Sequence, residues 1–142
     1  MSTPDLLLLD THIWIWLMIE HPKLGSSKVL PRIIKASKAE TLRVAAISVW
    51  EVAMLESKGR ITFPLSCQDW INQALGAPGI GLVPLSPEIA VESSRLPGNF
   101  HGDPADRILV ATARKLGATL ISDDAKIKRY AEEGHVNALA LR

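Results

Sequence analysis

Residues Leu6–Leu9 form a short run that is apolar throughout and stops at a single carboxylate, Asp10. A run of this length suits a strand covered on both faces, as in a parallel α/β sheet, although periodicity alone does not distinguish such a strand from buried helix. If the run is a strand, Asp10 lies at its carboxyl end, where open α/β sheets bind their ligands. This stretch therefore predicts a fold class and the first side chain of a candidate site.

The remainder of the chain alternates apolar runs with amphipathic stretches. We predict further strands at residues 42–47, 81–85, 119–122 and 136–141. We predict helices at 13–19, from a cap at Ser26 or Ser27 to residue 38, and at 48–59, 66–75, 86–96, 103–116 and 123–133. Thr11 is expected to cap the first helix, whose sequence would suit a strand equally well. We prefer a helix there because a parallel sheet needs a crossover after its first strand.

This order of elements predicts the architecture. Strands that alternate with helices form a parallel sheet with right-handed crossovers and helices on both faces. We therefore expect an α/β fold, an α/β/α sandwich with a central, mostly parallel, twisted sheet of about five strands. A chain of 142 residues fits one domain of common size, so a single domain is expected over residues 1–142.

Composition narrows the class of protein. The hydrophobic fraction of 47% and the charged fraction of 22% are those of an ordinary globular protein. The net charge of +1 gives no global electrostatic signal, so a nucleic-acid partner would need a local basic patch. The lone Cys67 has no partner for an internal disulfide or a cysteine zinc site. The N-terminus lacks the basic region of a signal peptide, and the apolar stretch to Ile19 is too short for a membrane span. We expect a cytoplasmic protein without membrane association.

Four acidic residues lie close to predicted strand ends or helix starts. They are Asp10, Glu51, Asp106 and Asp124. Because the carboxyl ends of parallel strands share one edge, we expect these side chains to converge there. For Asp106 the convergence is inferred from the length of its helix, since no strand directly precedes it. Asp103 and Asp123 are additional candidates beside the last two acids.

Each acid also has a structural interpretation. Ser48 and Glu51 have the spacing of a capping box, in which Glu51 bonds only the Ser48 amide. Asp10, Asp103, Asp106 and Asp124 could serve as caps or first-turn acids, which helix N-termini favour electrostatically. Their coincidence at one edge favours a functional site instead. Crowded carboxylates need protons or a cation, and oxygen ligands without nearby His or Cys suit Mg²⁺ or Mn²⁺. Metal-assisted phosphodiester hydrolysis is the resulting hypothesis.

Four motifs in this order resemble a known family. They are Leu-Leu-Asp-Thr-His, Ser-Val-Trp-Glu-Val, His-Gly-Asp-Pro-Ala-Asp-Arg-Ile-Leu-Val-Ala-Thr-Ala after a Leu-Pro, and Thr-Leu-Ile-Ser-Asp-Asp. The set is similar to that of the PIN-domain ribonucleases, in particular the VapC-type toxins of bacterial toxin–antitoxin pairs. The resemblance spans nearly the whole chain.

The resemblance implies roles for particular residues. Asp10, Glu51, Asp106 and Asp124 match the acidic quartet that holds Mg²⁺ or Mn²⁺, and Ser48 and Ser122 match small hydroxyl positions beside it. The last motif usually reads hydroxyl, variable residue, acid, which makes Asp124 the match, but the adjacent Asp123 leaves this assignment open. Asp103 matches a frequent neighbour of the third acid.

The resemblance also implies an activity and partners. It implies cleavage of single-stranded RNA by an activated water, an antitoxin that occupies the acidic groove, and a homodimer. The apolar helix at 13–19 is the local feature most able to meet a partner. The basic residues nearest to the acids in sequence, and hence candidates for the RNA backbone, are Arg107, Lys126, Lys128 and Arg129.

Two other functions stay open from sequence. A Rossmann-like metal-dependent phosphatase commonly has a second acid two residues after the strand-end Asp, and here that position is His12. A catalytically inactive PIN-like domain that binds RNA or protein would not need all four acids. The dispersed histidines, His12, His21, His101 and His135, are interpreted as structural or surface residues unless the fold gathers them.

Overall fold

The computed structural model describes residues 5–142. Residues 1–4 lie outside the described part of the chain. The predictions that include them are the single domain over residues 1–142 and the absence of a signal peptide. The strands are β1 (Leu7–Leu9), β2 (Leu42–Ala45), β3 (Ile80–Val83), β4 (Thr119–Ile121) and β5 (Asn137–Leu139). The helices are α1 (Thr11–Met18), α2 (Pro22–Gly25), α3 (Leu30–Lys38), α4 (Ala46–Ser57), α5 (Cys67–Leu75), α6 (Pro87–Ser93), α7 (Pro104–Leu116) and α8 (Ala125–Glu132).

The five strands form one sheet in the order β3-β2-β1-β4-β5, and every neighbouring pair is parallel. The α/β prediction is confirmed, and the sheet is parallel throughout instead of mostly parallel. The chain builds outward from β1 to β3 and then crosses back to place β4 on the other side of β1. The strand order therefore reverses between β1 and β4, and ligands of open α/β sheets bind at the carboxyl ends beside such a reversal.

Apolar side chains cover both faces of the sheet. In β1, Leu7 and Leu9 join one core cluster, and Leu8 joins the other, because successive side chains of a strand point to opposite faces. The first cluster takes residues from α1, α3 and α5, and the second from α6, α7 and α8. Since all three leucines are fully buried, the prediction of a strand covered on both faces is confirmed.

Several helix starts differ from prediction. Thr11 and Ser27 are not caps, because Asp10 caps α1 and the α3 cap is Val29 without a side-chain bond. Helix α4 begins at Ala46, two residues before the predicted cap Ser48. An apolar run does not itself mark where strand gives way to helix, so residues 46 and 47 were wrongly assigned to β2. The short α2 was not predicted. No helix in residues 5–142 combines the length and apolar character needed to cross a membrane.

Candidate active site

Asp10 lies at the reversal point, directly after β1. Its amide donates to the Ile121 carbonyl at 3.0 Å, which continues the pairing of β1 with β4. Its carboxylate is fixed by two donors, the Ser122 hydroxyl to Oδ2 at 2.6 Å and the Thr11 amide to Oδ1 at 2.7 Å. Burial raises the pKa of Asp10, and these two hydrogen bonds oppose that rise. Asp10 is thus a half-buried carboxylate held in one orientation.

Glu51 reaches the same edge from the first half of α4. The Thr11 hydroxyl donates to Glu51 Oε1 at 2.6 Å and also lies 2.9 Å from Ser48 Oγ. The predicted capping box does not form, because α4 begins earlier and Ser48 is inside it with no exposed surface. Burial raises the pKa of Glu51, with further contributions from the charges of Asp10 and Asp103. Glu51 is therefore directed at the site by Thr11 and is not a capping residue.

Asp106 lies in the first turn of α7, where Asp103 is the N-cap and accepts the Asp106 amide at 2.9 Å. The pKa of Asp106 is raised from 3.8 to about 6 by burial, the largest cause, and by the charges of four other carboxylates. These four are Asp103, Asp124, Asp10 and Glu51. These acids, which are far apart in sequence, thus lie near enough in space for their charges to shift one another's pKa values.

Gly102 holds the loop close to Asp106. A Cβ at this position would lie 2.5 Å from the Phe100 ring and 2.9 Å from Asp106 Cβ. Both distances are too short for non-bonded carbon atoms, so any larger residue would shift the start of α7. The Gly in the His-Gly-Asp-Pro segment therefore has a steric role in placing Asp106.

Asp124, rather than Asp123, belongs to the cluster. Its charge contributes to the raised pKa values of Asp10 and Asp106. It also caps α8, since its Oδ1 accepts two amides of the first turn at 2.8 and 3.1 Å. Asp123 is turned away, with its Oδ1 accepting the Leu141 amide at 2.9 Å. Of the two adjacent acids, Asp124 is thus the one that both caps α8 and lies in the cluster.

The cluster has an excess of negative charge. In the described part of the chain, none of its five carboxylates takes part in an ion pair with Lys, Arg or His. No three His, Cys, Asp or Glu side chains of residues 5–142 already stand at the spacing of metal ligands. The donor set nevertheless fits a hard divalent cation, because its ligands are all oxygen and a cation would offset their mutual repulsion.

The basic residues predicted for RNA contact divide into two groups. Arg107 is half-buried, and its guanidinium donates to two backbone carbonyls, that of Ser93 at the end of α6 at 2.8 Å and that of Phe100 in the loop before α7. It therefore ties the loop before α7 to the end of α6, a structural role that the sequence did not indicate. The other three are exposed on α8, which begins at the site; they are Lys126, Lys128 and Arg129.

Sequence reasoning did not identify Thr11 as part of the site. It was interpreted as a helix cap, whereas its side chain is 2% exposed and bonded to Glu51. The available signal was a hydroxyl residue directly after a strand-end acid, at the start of an otherwise apolar helix. Its partner was not visible, since Glu51 is 40 residues away.

Comparison with known proteins is consistent with this geometry. The sequence model of one family, described as PIN domain, matches residues 7–133. The chain is 34% identical over 123 residues to Ribonuclease VapC22 of Mycobacterium tuberculosis, covering 87% of this chain and 90% of that protein.

Solved structures resemble the fold at lower identity. VapBC2 from Rickettsia felis bound to a promoter DNA fragment has a TM-score of 0.68 at 14% identity, covering 96% of this chain and 98% of that one. DNA-bound VapBC from Salmonella typhimurium has a TM-score of 0.70 at 10% identity, covering 97% and 99%. At such identities the likeness concerns the fold.

Proposed function

Because the chain belongs to the PIN-domain family, we propose that it is a single-domain, Mg²⁺- or Mn²⁺-dependent endoribonuclease, the toxin of a type II toxin–antitoxin pair. The observation that carries the proposal is the meeting of Asp10, Glu51, Asp106 and Asp124 beside the β1–β4 reversal, where none of the four forms an ion pair within residues 5–142. The 34% identity to a ribonuclease named VapC22 supports the substrate class.

In this proposal the four acids hold the metal ion. The ion supplies phosphate neutralisation and a water of lowered pKa. Asp10 is already oriented by Ser122 and by the Thr11 amide, and the Thr11 hydroxyl orients Glu51. Fixed partners of this kind lower the cost of assembling a site and set its geometry.

The remaining acids and cations have lesser roles. Asp103 positions the Asp106 backbone as the cap of α7, and Gly102 keeps that turn close. Lys126, Lys128 and Arg129 are proposed to meet the RNA backbone near the acidic edge. Single-stranded RNA is the proposed substrate, in accord with the resemblance to the VapC-type ribonucleases.

The partners are proposed from the family. Structures similar in fold include VapBC complexes from several bacteria, which supports an antitoxin as a protein partner. We also propose a homodimer. A phosphatase of the Rossmann-like kind is disfavoured, because the position two residues after Asp10 is His12 and four acids from separate elements gather instead.

The test is cleavage of a labelled single-stranded RNA by the purified full chain. We expect cleavage with Mg²⁺ or Mn²⁺, none in excess EDTA, and none from Asp10→Asn, which should retain the wild-type circular dichroism spectrum. Robust cleavage in EDTA would overturn the metal-dependent mechanism. A fully folded wild-type protein that leaves RNA intact with either metal would instead favour an inactive binding domain.

A further inference from the structure

The fold gathers two of the dispersed histidines around one tryptophan. The Trp16 and His21 rings are stacked, with centroids 5.0 Å apart and planes at 25°. The His12 ring lies edge-on to Trp16 at 6.3 Å, and Lys23 Nζ lies 5.6 Å from the centre of the Trp16 ring. Trp16 and His21 are half-buried, whereas His12 and Lys23 are exposed, so this group forms an accessible aromatic surface bordered by His12 and by the cation of Lys23.

Both ends of this group adjoin the acidic edge. His12 is the second residue after Asp10, in the first turn of α1, and its positive charge when protonated lowers the pKa of both Asp10 and Glu51. At the other end, Lys23 lines a polar cleft of about 300 Å³ together with Asp123, the residue after Ser122. The ring pair is thus flanked by two segments that carry acids of the candidate site, since His12 follows Asp10 closely and the cleft at Lys23 borders the loop that holds Asp124.

A second stacked ring pair, Phe63 and Trp70, differs from the Trp16–His21 pair in its exposure to solvent. The Phe63 and Trp70 rings stack at 4.2 Å, but Trp70 is only 8% exposed and packs in the first core cluster. No lysine or arginine lies over that pair among residues 5–142. Trp16 also packs against this cluster, but both rings of the Trp16–His21 stack are partly exposed and Lys23 lies over the indole, whereas Trp70 is buried.

An acidic site needs such a surface in order to bind RNA. The carboxylates repel a phosphodiester backbone wherever the metal does not neutralise them, so substrate affinity must come from flanking groups. Aromatic faces stack on any unpaired base, and adjacent cations bind the backbone. An indole–imidazole pair with a lysine supplies both kinds of contact within one nucleotide's reach.

We propose that the Trp16–His21 ring pair, with Lys23, is a nucleotide-binding subsite for single-stranded RNA: one base flanking the scissile bond stacks on the rings, and Lys23 binds a backbone phosphate. The proposal rests on the ribonuclease function above and specifies how its substrate is held. It also gives a role to residues that the chemistry at the carboxylates does not use.

The test measures RNA affinity by fluorescence anisotropy in an Asp10→Asn background, in which the RNA stays intact. His21→Asn removes the ring but keeps a side chain able to accept the Lys23 amide, as His21 Nδ1 does at 3.1 Å. Trp16→Leu removes the indole and retains an apolar contact with the core. Each is expected to weaken binding about tenfold, a typical effect of losing one stacked base.

Modified RNA separates stacking from other effects. We would test a series of oligonucleotides that each carry one abasic site at a different position. At one position, the affinity for the Asp10→Asn protein should fall by a similar factor. At that position, His21→Asn should cause no further loss. Should Trp16→Leu fail to fold, the His21→Asn variant and the abasic series still decide the outcome.

Salt dependence tests the lysine. Lys23→Gln should reduce the slope of log affinity against log salt by about 0.7, the value for one phosphate contact on a single strand. Lys38→Gln, at an exposed lysine in the last turn of α3, is the matched control and should leave the slope unchanged.

Two failures are distinguishable. If the wild-type chain cleaves RNA but folded Trp16→Leu and His21→Asn bind intact RNA as tightly as the parent, the subsite is overturned and the nuclease function stands. If the wild-type chain neither binds nor cleaves RNA with Mg²⁺ or Mn²⁺, the proposed function fails, and the subsite fails with it.

Discussion

The two ends of α7 carry opposite charges in very different surroundings. At its last turn, Arg114 Nε lies 3.5 Å from Glu92 Oε1, and Lys115 Nζ lies 3.9 Å from Glu92 Oε2. At its first turn, Asp103 and Asp106 face further carboxylates and have no ion-pair partner among the described residues. Both ends suit the helix dipole, which favours acids at the N-terminus and bases at the C-terminus.

The dipole alone does not account for the acidic end. A helix N-terminus lowers the pKa of a nearby carboxyl, yet the pKa of Asp106 is raised to about 6 by burial and by the surrounding carboxylates. One acid suffices to cap the helix, and Asp103 does so. Paired charges at one end of α7 therefore stabilise the fold, whereas the accumulated acids at the other end lower stability and indicate a functional site.

The largest difference between the two ends is expected in catalysis. Asp106→Asn should lower RNA cleavage by more than about 100-fold if Asp106 is a metal ligand as proposed, since losing a ligand exceeds the loss typical of outer partners. Glu92→Gln, at the other end of α7, is the matched control and should retain wild-type cleavage while unfolding at slightly lower temperature. Single-turnover kinetics measure the cleavage rate of each variant, and thermal melting measures its stability. Equal activity of Asp106→Asn and wild type would remove the distinction between the ends.

A smaller effect is expected from the hydroxyl that orients Glu51. Thr11→Val keeps the shape but removes the donor, and it should weaken Mn²⁺ binding about tenfold by calorimetry. Thr11→Ser retains the hydroxyl and should stay close to wild type. In a Glu51→Gln background the Thr11→Val change should cost almost nothing, because Thr11 acts through the Glu51 carboxylate. Undiminished Mn²⁺ affinity in Thr11→Val would assign this hydroxyl a purely structural role.

The smallest effect concerns the stability of the metal-free protein. Because the pKa of Asp106 is 3.8 ordinarily and about 6 in the folded chain, the folded state binds this proton more tightly. The stabilisation is complete below pH 3.8 and is lost as the pH rises through about 6. With allowance for solvent screening of a half-buried carboxyl, we expect about 1 kcal/mol.

Urea unfolding in EDTA at pH 5 and pH 8 measures this loss. This loss of unfolding free energy should be smaller in Asp106→Asn than in the wild-type protein, and it should be unchanged in Glu92→Gln. Added Mg²⁺ or Mn²⁺ should restore stability at pH 8, because the cation offsets the carboxylate repulsion. If the free energy of unfolding changed between pH 5 and pH 8 by the same amount in the metal-free wild-type protein and in Asp106→Asn, a raised pKa of Asp106 would be contradicted.

Local sequence determined most of the fold. The fully buried run at β1, the glycine stop after α7 and the proline starts of α6 and α7 are local signals, and the structure has each. The parallel order then required the strand ends to share an edge, which was enough to anticipate that Asp10 and Asp124 would meet. Helix boundaries were less predictable, as Ala46 and Thr11 show, because apolar runs and hydroxyl residues are compatible with more than one local structure.

Tertiary structure decided the partners of each side chain. Only the packing of α1 against α4 makes Thr11, and not Ser48, the residue that fixes Glu51. The same holds for Arg107, whose charge suggested RNA and whose hydrogen bonds go to backbone carbonyls at the end of α6 and in the loop before α7. The sequence by itself determined which residue types reach the carboxyl edge, because strand and helix periods are local properties. The tertiary structure decided which of them meet, because a hydrogen bond between residues 40 or 112 positions apart depends on the packing of whole elements.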